Sequence, residues 1–150
     1  MDKKKVISKL NDILRWEWTG LAQYAQAGFV VSGVWREVYS EFFFESAKEC
    51  FKHARIIGEK IAAMGGVPTV ERDKIQQSSD LMEMLHTAHA FESAAVEHYR
   101  QALKLCEDDR PLVVLLEDLI LQEQEGVDHL EKILREQGTA AKTGGAAKAG

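Results

Sequence analysis

The stretch Gly65-Gly66-Val67-Pro68-Thr69-Val70-Glu71-Arg72-Asp73-Lys74-Ile75-Gln76-Gln77-Ser78-Ser79 decides the architecture. It has no helical period and carries one of only two prolines in the chain. On either side lie two long segments whose apolar residues recur at three- and four-residue spacing, as in helices with one buried stripe. Upstream these run from about Val6 to Trp35 and from about Ser40 to Met64. Downstream they run from about Asp80 to Glu107 and from about Pro111 to Gln137. Gly65-Gly66 and Gly138 mark helix ends, Asp80 with Glu83 offers a capping box, and Pro111 suits a first turn. No segment reads as a strand.

Within each pair the connection is only a few residues, so each pair is an antiparallel hairpin. The intervening fifteen residues reach roughly 50 Å when extended at ~3.3 Å per residue. A 26-residue helix is roughly 39 Å long at ~1.5 Å per residue. The loop can therefore travel the whole length of the helices. The expected fold is all-α: an antiparallel four-helix bundle over residues 1–137, with a long crossover between helices two and three. Residues 138–150, rich in Gly, Ala and Lys, read as a flexible tail rather than a fifth helix.

Composition narrows the function. The 150 residues make one domain, 45% hydrophobic and 29% charged, an ordinary globular balance. A net charge of -5 argues against a nucleic-acid partner, whose binding would rest on phosphate neutralisation. No apolar run approaches the roughly 20 residues needed to span a bilayer, and no signal peptide is read before the first segment. Cys50 and Cys106 are too few and too distant for a disulfide framework, so both are expected to be reduced thiols in a cytoplasmic protein.

The buried stripes carry the chemistry. The first reads Leu10, Ile13, Glu17, Leu21, Tyr24, Gly28; the second Cys50, His53, Ile57, Met64, with Ala47 and Ile61 beside it. The third reads Met82, Leu85, His89, Glu92, Val96, Tyr99, Leu103, Cys106; the fourth Leu116, Leu119, Glu123, Gly126, Leu130, Ile133. Each has a polar residue near its midpoint: Glu17, Cys50/His53, Glu92 and Glu123. Helices of similar length bring these to one level. Three carboxylates in an apolar core need compensation, and no Lys or Arg lies on the stripes at that level. Protons or metal ions must supply it. Carboxylates with an imidazole suit iron or manganese. The alternative is that one or two of these residues point outward.

Leu10-Asn11-Asp12-Ile13-Leu14-Arg15-Trp16-Glu17, with Gln23-Tyr24, resembles the first helix of the bacterioferritins. Glu45-Ser46 through His53-Ala54, ending at Gly66-Val67-Pro68, resembles their second. Glu83-Met84-Leu85 through Phe91-Glu92, with Arg100-Gln101-Ala102, is similar to their third. Glu123-Gln124-Glu125-Gly126, with Asp128 and Leu130-Glu131, is similar to their fourth. The resemblance spans roughly residues 6–137.

The resemblance implies a ferritin-like fold and a di-iron ferroxidase centre, with single Glu ligands at Glu17 and Glu92, a His at His53 and a Glu at Glu123. Two positions depart from the pattern. Cys50 stands where a bridging Glu is expected, giving Cys-x-x-His, and Gly126 stands where a second His is expected, giving Glu-x-x-Gly. Glu49, at i, i+4 from His53, could compensate, as could Cys50 itself as a thiolate, although a buried small hydrophobe is an equal reading. Glu125 and His129 read as solvated helix face and His89 as a hydrogen-bonded core histidine. Tyr24 corresponds to a tyrosine beside the family's metal centre, and is otherwise an ordinary core aromatic. Trp16, Trp18 and Trp35 read as packing or interface residues. The haem-ligating methionine position is Phe51, so haem is not expected by that route.

The implied function is Fe(II) oxidation by O2 or peroxide with iron storage or detoxification. The alternative is a protein whose centre, altered at Cys50 and Gly126, binds one metal or serves as the structural partner of a complete subunit. A rubrerythrin-type oxidase lacks its four-cysteine iron site here, and a DNA-protecting mini-ferritin would build its site between subunits. The aromatic cluster Trp35, Phe42, Phe43, Phe44 suggests a homo-oligomer, a dimer at least and at most a closed shell.

Overall fold

The computed structural model describes residues 1–135, which form four helices: α1 (Lys3–Val30), α2 (Arg36–Ala63), α3 (Leu81–Leu103) and α4 (Arg110–Leu134). The expected tail at 138–150 lies outside the described residues, as do residues 136 and 137 at the expected end of the fourth helix. Among the described residues there is no strand, and no helix is long and apolar enough to cross a membrane.

Local chemistry sets the helix ends. Asp2, Asp80 and Asp109 each accept hydrogen bonds from backbone N–H groups of the turn they precede, satisfying donors that have no intrahelical partner. The capping box at Asp80 is half formed. Asp80 accepts from the Glu83 N–H at 2.9 Å, but the Glu83 carboxylate turns to the Ser78 hydroxyl. The first helix stops at Val30, not Trp35, and the second begins at Arg36, not Ser40. Gly33 takes φ +86° between them, a region open to glycine. The Arg36 guanidinium caps the α1 carbonyls, donating to Val31 O at 2.6 Å and Phe29 O at 3.2 Å. Helix α2 ends as expected at Gly65, φ +82°, where Gly65 and Gly66 N–H groups return to Ala62 O and Ile61 O. Helix α3 stops at Leu103 rather than Glu107, and a run of turns places Cys106 back in the core.

The crossover runs alongside α1 for most of its length. Asn11 exchanges hydrogen bonds with Val67 O and Thr69 N–H, Trp18 Nε1 donates to Thr69 O, and Thr19 Oγ1 accepts from Asp73 N–H. Further on, Gln23 pairs with the Gln76 backbone through both ends of its amide. Rising numbers on α1 meet rising numbers in the loop, so the two are parallel. Loop backbone that would otherwise need water is satisfied by α1 side chains.

Rising numbers on α1 meet falling numbers on α3: Lys9 bonds Gln101, Glu17 bonds Tyr99 and Tyr24 bonds Glu92. These helices are therefore antiparallel. The same holds for α2 and α4, where His53 meets Glu123 and Phe42 meets His129. Two apolar clusters fill the bundle. One contains Leu10, Ile13, Leu14, Ile57, Ile61, Leu112, Leu116 and Leu119, each at most 1% exposed, and each burial contributes about 1.5–3 kcal/mol. The other is built on Tyr24, Phe43, Leu85, Phe91 and Leu130. The polar centre lies between them.

The α3 stripe differs from expectation at its start. Met82 is half exposed and His89 lies at the bundle edge, 3.2 Å from Glu131, rather than in the core. At about 100° per residue, Met82 and His89 fall on one flank of Leu85, whereas Ala88 and Phe91 fall on the other, and the inward face is theirs. The phenylalanine cluster is also internal in part. Phe43 is fully buried, Phe44 packs on Gly28 and Phe29, and Phe42 packs on Tyr39, Phe43 and His129. Apolar surface remains at Phe29, Val34, Trp35 and Val38.

Candidate metal centre

Four helices contribute one turn each to the centre. Glu17 of α1 is wholly buried, His53 of α2 is 2% exposed and Glu123 of α4 is 3% exposed. Their ligand atoms all lie within 4.8 Å of one another. His53 Nδ1 is 2.8 Å from Glu123 Oε1 and 3.6 Å from Glu17 Oε1. Its Nε2 faces outward, 3.0 Å from Gln122 Oε1 and 3.2 Å from Glu49 Oε1. Burial alone would lower the basicity of His53. Its hydrogen bond to Glu123, the close approach of Glu17 and the charges of both outweigh that and raise its pKa from 6.5 to about 11. The ring thus carries positive charge at neutral pH between two carboxylates.

Glu92 of α3 completes the level, although not within the tight cluster. Tyr24 Oη donates to its Oε1 at 2.5 Å. Burial, then the proximity and charge of Glu123, push the Glu92 carboxyl well above the usual carboxylate range, toward its neutral form. Glu123 is itself raised, first by burial and then by the charge of Glu17. A Cβ at Gly126 would lie 3.3 Å from the Glu92 carboxyl, so the glycine lets that group lean against α4.

Glu17 is held from the opposite side. Tyr99 Oη donates to Glu17 Oε1 at 2.8 Å, while Glu17 Oε2 is buried with no hydrogen-bond partner among the described residues. An orphaned buried carboxylate oxygen is costly. A cation that displaced the His53 Nδ1 proton and sat between Glu17, His53 and Glu123 would satisfy it, and an O/N donor set of this kind suits a first-row divalent metal. The residues present therefore fit a metal ion.

The flanking candidates are distributed around this core. Cys50 is buried, and burial, then the charges of Glu17, Glu92 and Glu123, push its thiol well above its ordinary value. Glu49 is exposed and reaches His53 from outside. Glu125 and His129 are exposed. A cavity of about 160 Å³ has Glu49 and His129 on its lining together with Cys50, His53, Glu92 and Glu123. Phe51 is half exposed, its ring 6.1 Å from that of Trp18. Both cysteines are free thiols.

Sequence reasoning passed over Tyr99 and Gln122 as parts of this site. A signal for Tyr99 was present: Glu17 and Tyr24 on α1 have the same seven-residue spacing as Glu92 and Tyr99 on α3. Because α1 and α3 are antiparallel, each tyrosine reaches the other helix's glutamate. The result is a reciprocal cross-brace through the centre.

A model of the ferritin-like domain family matches residues 7–138. The chain is 27% identical over 135 residues to the bacterioferritin of Desulfovibrio desulfuricans, covering 87% of this chain and 75% of that protein. It is 32% identical over 126 residues to the nutrient stress-induced DNA-binding protein of Nostoc sp., covering 75% and 67% respectively. The crystal structure of a ferritin-like, diiron-carboxylate protein from Bacillus anthracis superposes with a TM-score of 0.86 at 31% identity, covering 90% of this chain and 99% of that one.

Proposed function

The chain belongs to the ferritin-like family, and from that premise we propose that it binds Fe(II) at this centre and oxidises it with O2 or peroxide, so serving iron storage or detoxification. The single observation that carries the reading is the fully buried Glu17, with one oxygen unpartnered, facing His53 and Glu123 within ligand distance. Glu17, His53 Nδ1 and Glu123 form one seat for the substrate ion. Glu123 and Glu92 form a second, with Glu49 and Cys50 as the neighbours that can stand in for the missing bridging carboxylate. Hard anionic oxygens favour the ferric over the ferrous state. Tyr99 fixes Glu17 and Tyr24 fixes Glu92, so the carboxylates are pre-oriented. The cavity beside Glu49 supplies the way in.

Anaerobic Fe(II) titration, followed by oxygen while the near-ultraviolet ferric absorption is recorded, tests this. Two Fe(II) per chain with oxidation faster than that of free iron are expected. No binding, or oxidation at the rate of free iron, would contradict it. A second reading has its own observation: Cys50 and Gly126 each remove a family ligand, and among the described residues only three donor residues converge tightly. In that reading the chain holds a single metal or partners a complete subunit. One Fe(II) per chain, without fast oxidation, would favour it.

The assembly proposed is a homo-oligomer joined in part through Phe29, Val34, Trp35 and Val38. The relative named for DNA binding shares the fold, but the net charge of -5 gives this chain little electrostatic attraction to phosphate. Haem is not assigned, since Phe51 has no donor atom.

A further inference from the structure

We propose that Cys50, as a thiolate, is a fourth donor to the ion held by Glu17, His53 and Glu123, and that this makes the seat prefer borderline divalent ions such as Fe(II), Co(II) and Zn(II) over hard Mn(II). The inference rests on the metal-centre reading above. Cys50 and His53 are three residues apart on α2, so both point to one face, and both are buried. The sulfur occupies a notch at Gly20, where a Cβ would lie 2.7 Å from it. Gly20 is one turn beyond Glu17 on α1. The thiol therefore sits between α1 and α2 beside the Glu17 carboxylate, and it lines the same cavity as His53 and Glu123.

A second observation points to a ligand independently of the cysteine. Glu17 is wholly buried and its Oε2 has no hydrogen-bond partner among the described residues. The sulfur lies outside the trio whose ligand atoms are within 4.8 Å of one another, and burial with the charges of Glu17, Glu92 and Glu123 favours the thiol while no cation is present among them. A change of χ1 moves the sulfur within the cavity and leaves the backbone in place. Binding replaces the Cys50 S–H bond and the His53 Nδ1–H bond by bonds to the metal, so two protons pass to solvent for each divalent ion bound. With Cys50 the donors are two carboxylates, one imidazole and one thiolate. Sulfur is the donor that separates borderline from hard divalent ions.

The test is anaerobic addition of Co(II) to the full-length chain, read by optical absorption. One equivalent should produce visible d–d bands together with an intense near-ultraviolet thiolate-to-cobalt band. In Cys50→Ser the d–d bands should persist, the near-ultraviolet band should vanish, and Zn(II) affinity should fall about 100-fold or more, the upper end of what indirect metal-site partners contribute. Mn(II) affinity should change far less. Visible bands without the charge-transfer band in the unmodified chain would overturn thiolate ligation and leave the metal centre standing. No cobalt spectrum at all would overturn the metal centre as well. The decisive spectrum is that of the unmodified chain, so the result does not depend on how well the variant folds.

Discussion

The two hairpins build the two halves of the centre from similar parts, up to a single turn of helix. Helix α1 gives Glu17 and Tyr24, and α3 gives Glu92 and Tyr99 at the same spacing. Each tyrosine braces the glutamate of the opposite helix. The partner helices then diverge: α2 offers Cys50 and His53, α4 offers Glu123 and Gly126. One half keeps the nitrogen donor and the other keeps the carboxylate. The consequence is electrostatic. The Glu17 half faces a positively charged His53 and is tightly closed, whereas the Glu92 carboxyl is pushed toward its neutral form by burial and leans into the space at Gly126. The brace is common architecture, and the α2 and α4 turns decide which chemistry it supports.

Replacing His53 should separate the halves most strongly. His53→Ala leaves Glu17 and Glu123 facing each other without positive charge, so chemical denaturation should show a loss of about 3–5 kcal/mol, the usual cost of breaking a buried ionic pair. Fe(II) binding by calorimetry should fall by more than about 100-fold. Glu92→Gln should keep one Fe(II) per chain at nearly unchanged affinity. Equal losses from both variants would erase the distinction between the halves.

The braces themselves should be unequal. Tyr99→Phe leaves a fully buried Glu17 with neither oxygen bonded by a hydroxyl, at a cost of about 1–3 kcal/mol. Tyr24→Phe removes a partner from a carboxyl already pushed toward its neutral form and should cost about 1 kcal/mol or less. Thermal melts of the two variants, measured side by side, check the order. A larger loss from Tyr24→Phe would reverse the account of which half is closed.

The glycines give the finest comparison. A Cβ at Gly20 would meet Phe91 Cζ at 2.3 Å and Cys50 Sγ at 2.7 Å. Overpacking of this kind costs about 1–3 kcal/mol, against a helix-propensity gain of about 1 kcal/mol for Ala over Gly. Gly20→Ala should therefore be net destabilising in urea unfolding. At Gly126 the nearest contact is 3.3 Å, to the Glu92 carboxyl. That group has only to give by a few tenths of an ångström, so Gly126→Ala should lie within about 1 kcal/mol of the parent. A large loss at Gly126 would mean that the Glu92 half is packed as tightly as the other.

Much of this was legible in the sequence because it is periodic. Apolar spacing located four helices, and the length of the segment 65–79 required a crossover able to run beside the bundle. The level of Glu17, His53, Glu92 and Glu123 followed from helix midpoints. Helix ends were less legible where a side chain from elsewhere finishes the job, as Arg36 does for the α1 carbonyls. The inward face of α3 was misjudged at Met82 and His89 because two stripes about a third of a turn apart are both largely apolar there. The role of Tyr99 required knowing that α1 and α3 are antiparallel, which places it beside Glu17 rather than Glu92. The notches at Gly20 and Gly126 belong to neighbours on other helices, and no spacing along one helix reveals them.

The central claim is that Glu17, His53 and Glu123 make the primary seat for the metal. Crystals grown and soaked anaerobically with Fe(II), measured at the iron absorption edge, would test it most directly. The account predicts an anomalous peak between Glu17 Oε2, His53 Nδ1 and Glu123, stronger than any peak beside Glu92. Iron found only beside Glu92 or at the Glu49 surface, with His53 still bonded to Glu123, would contradict it.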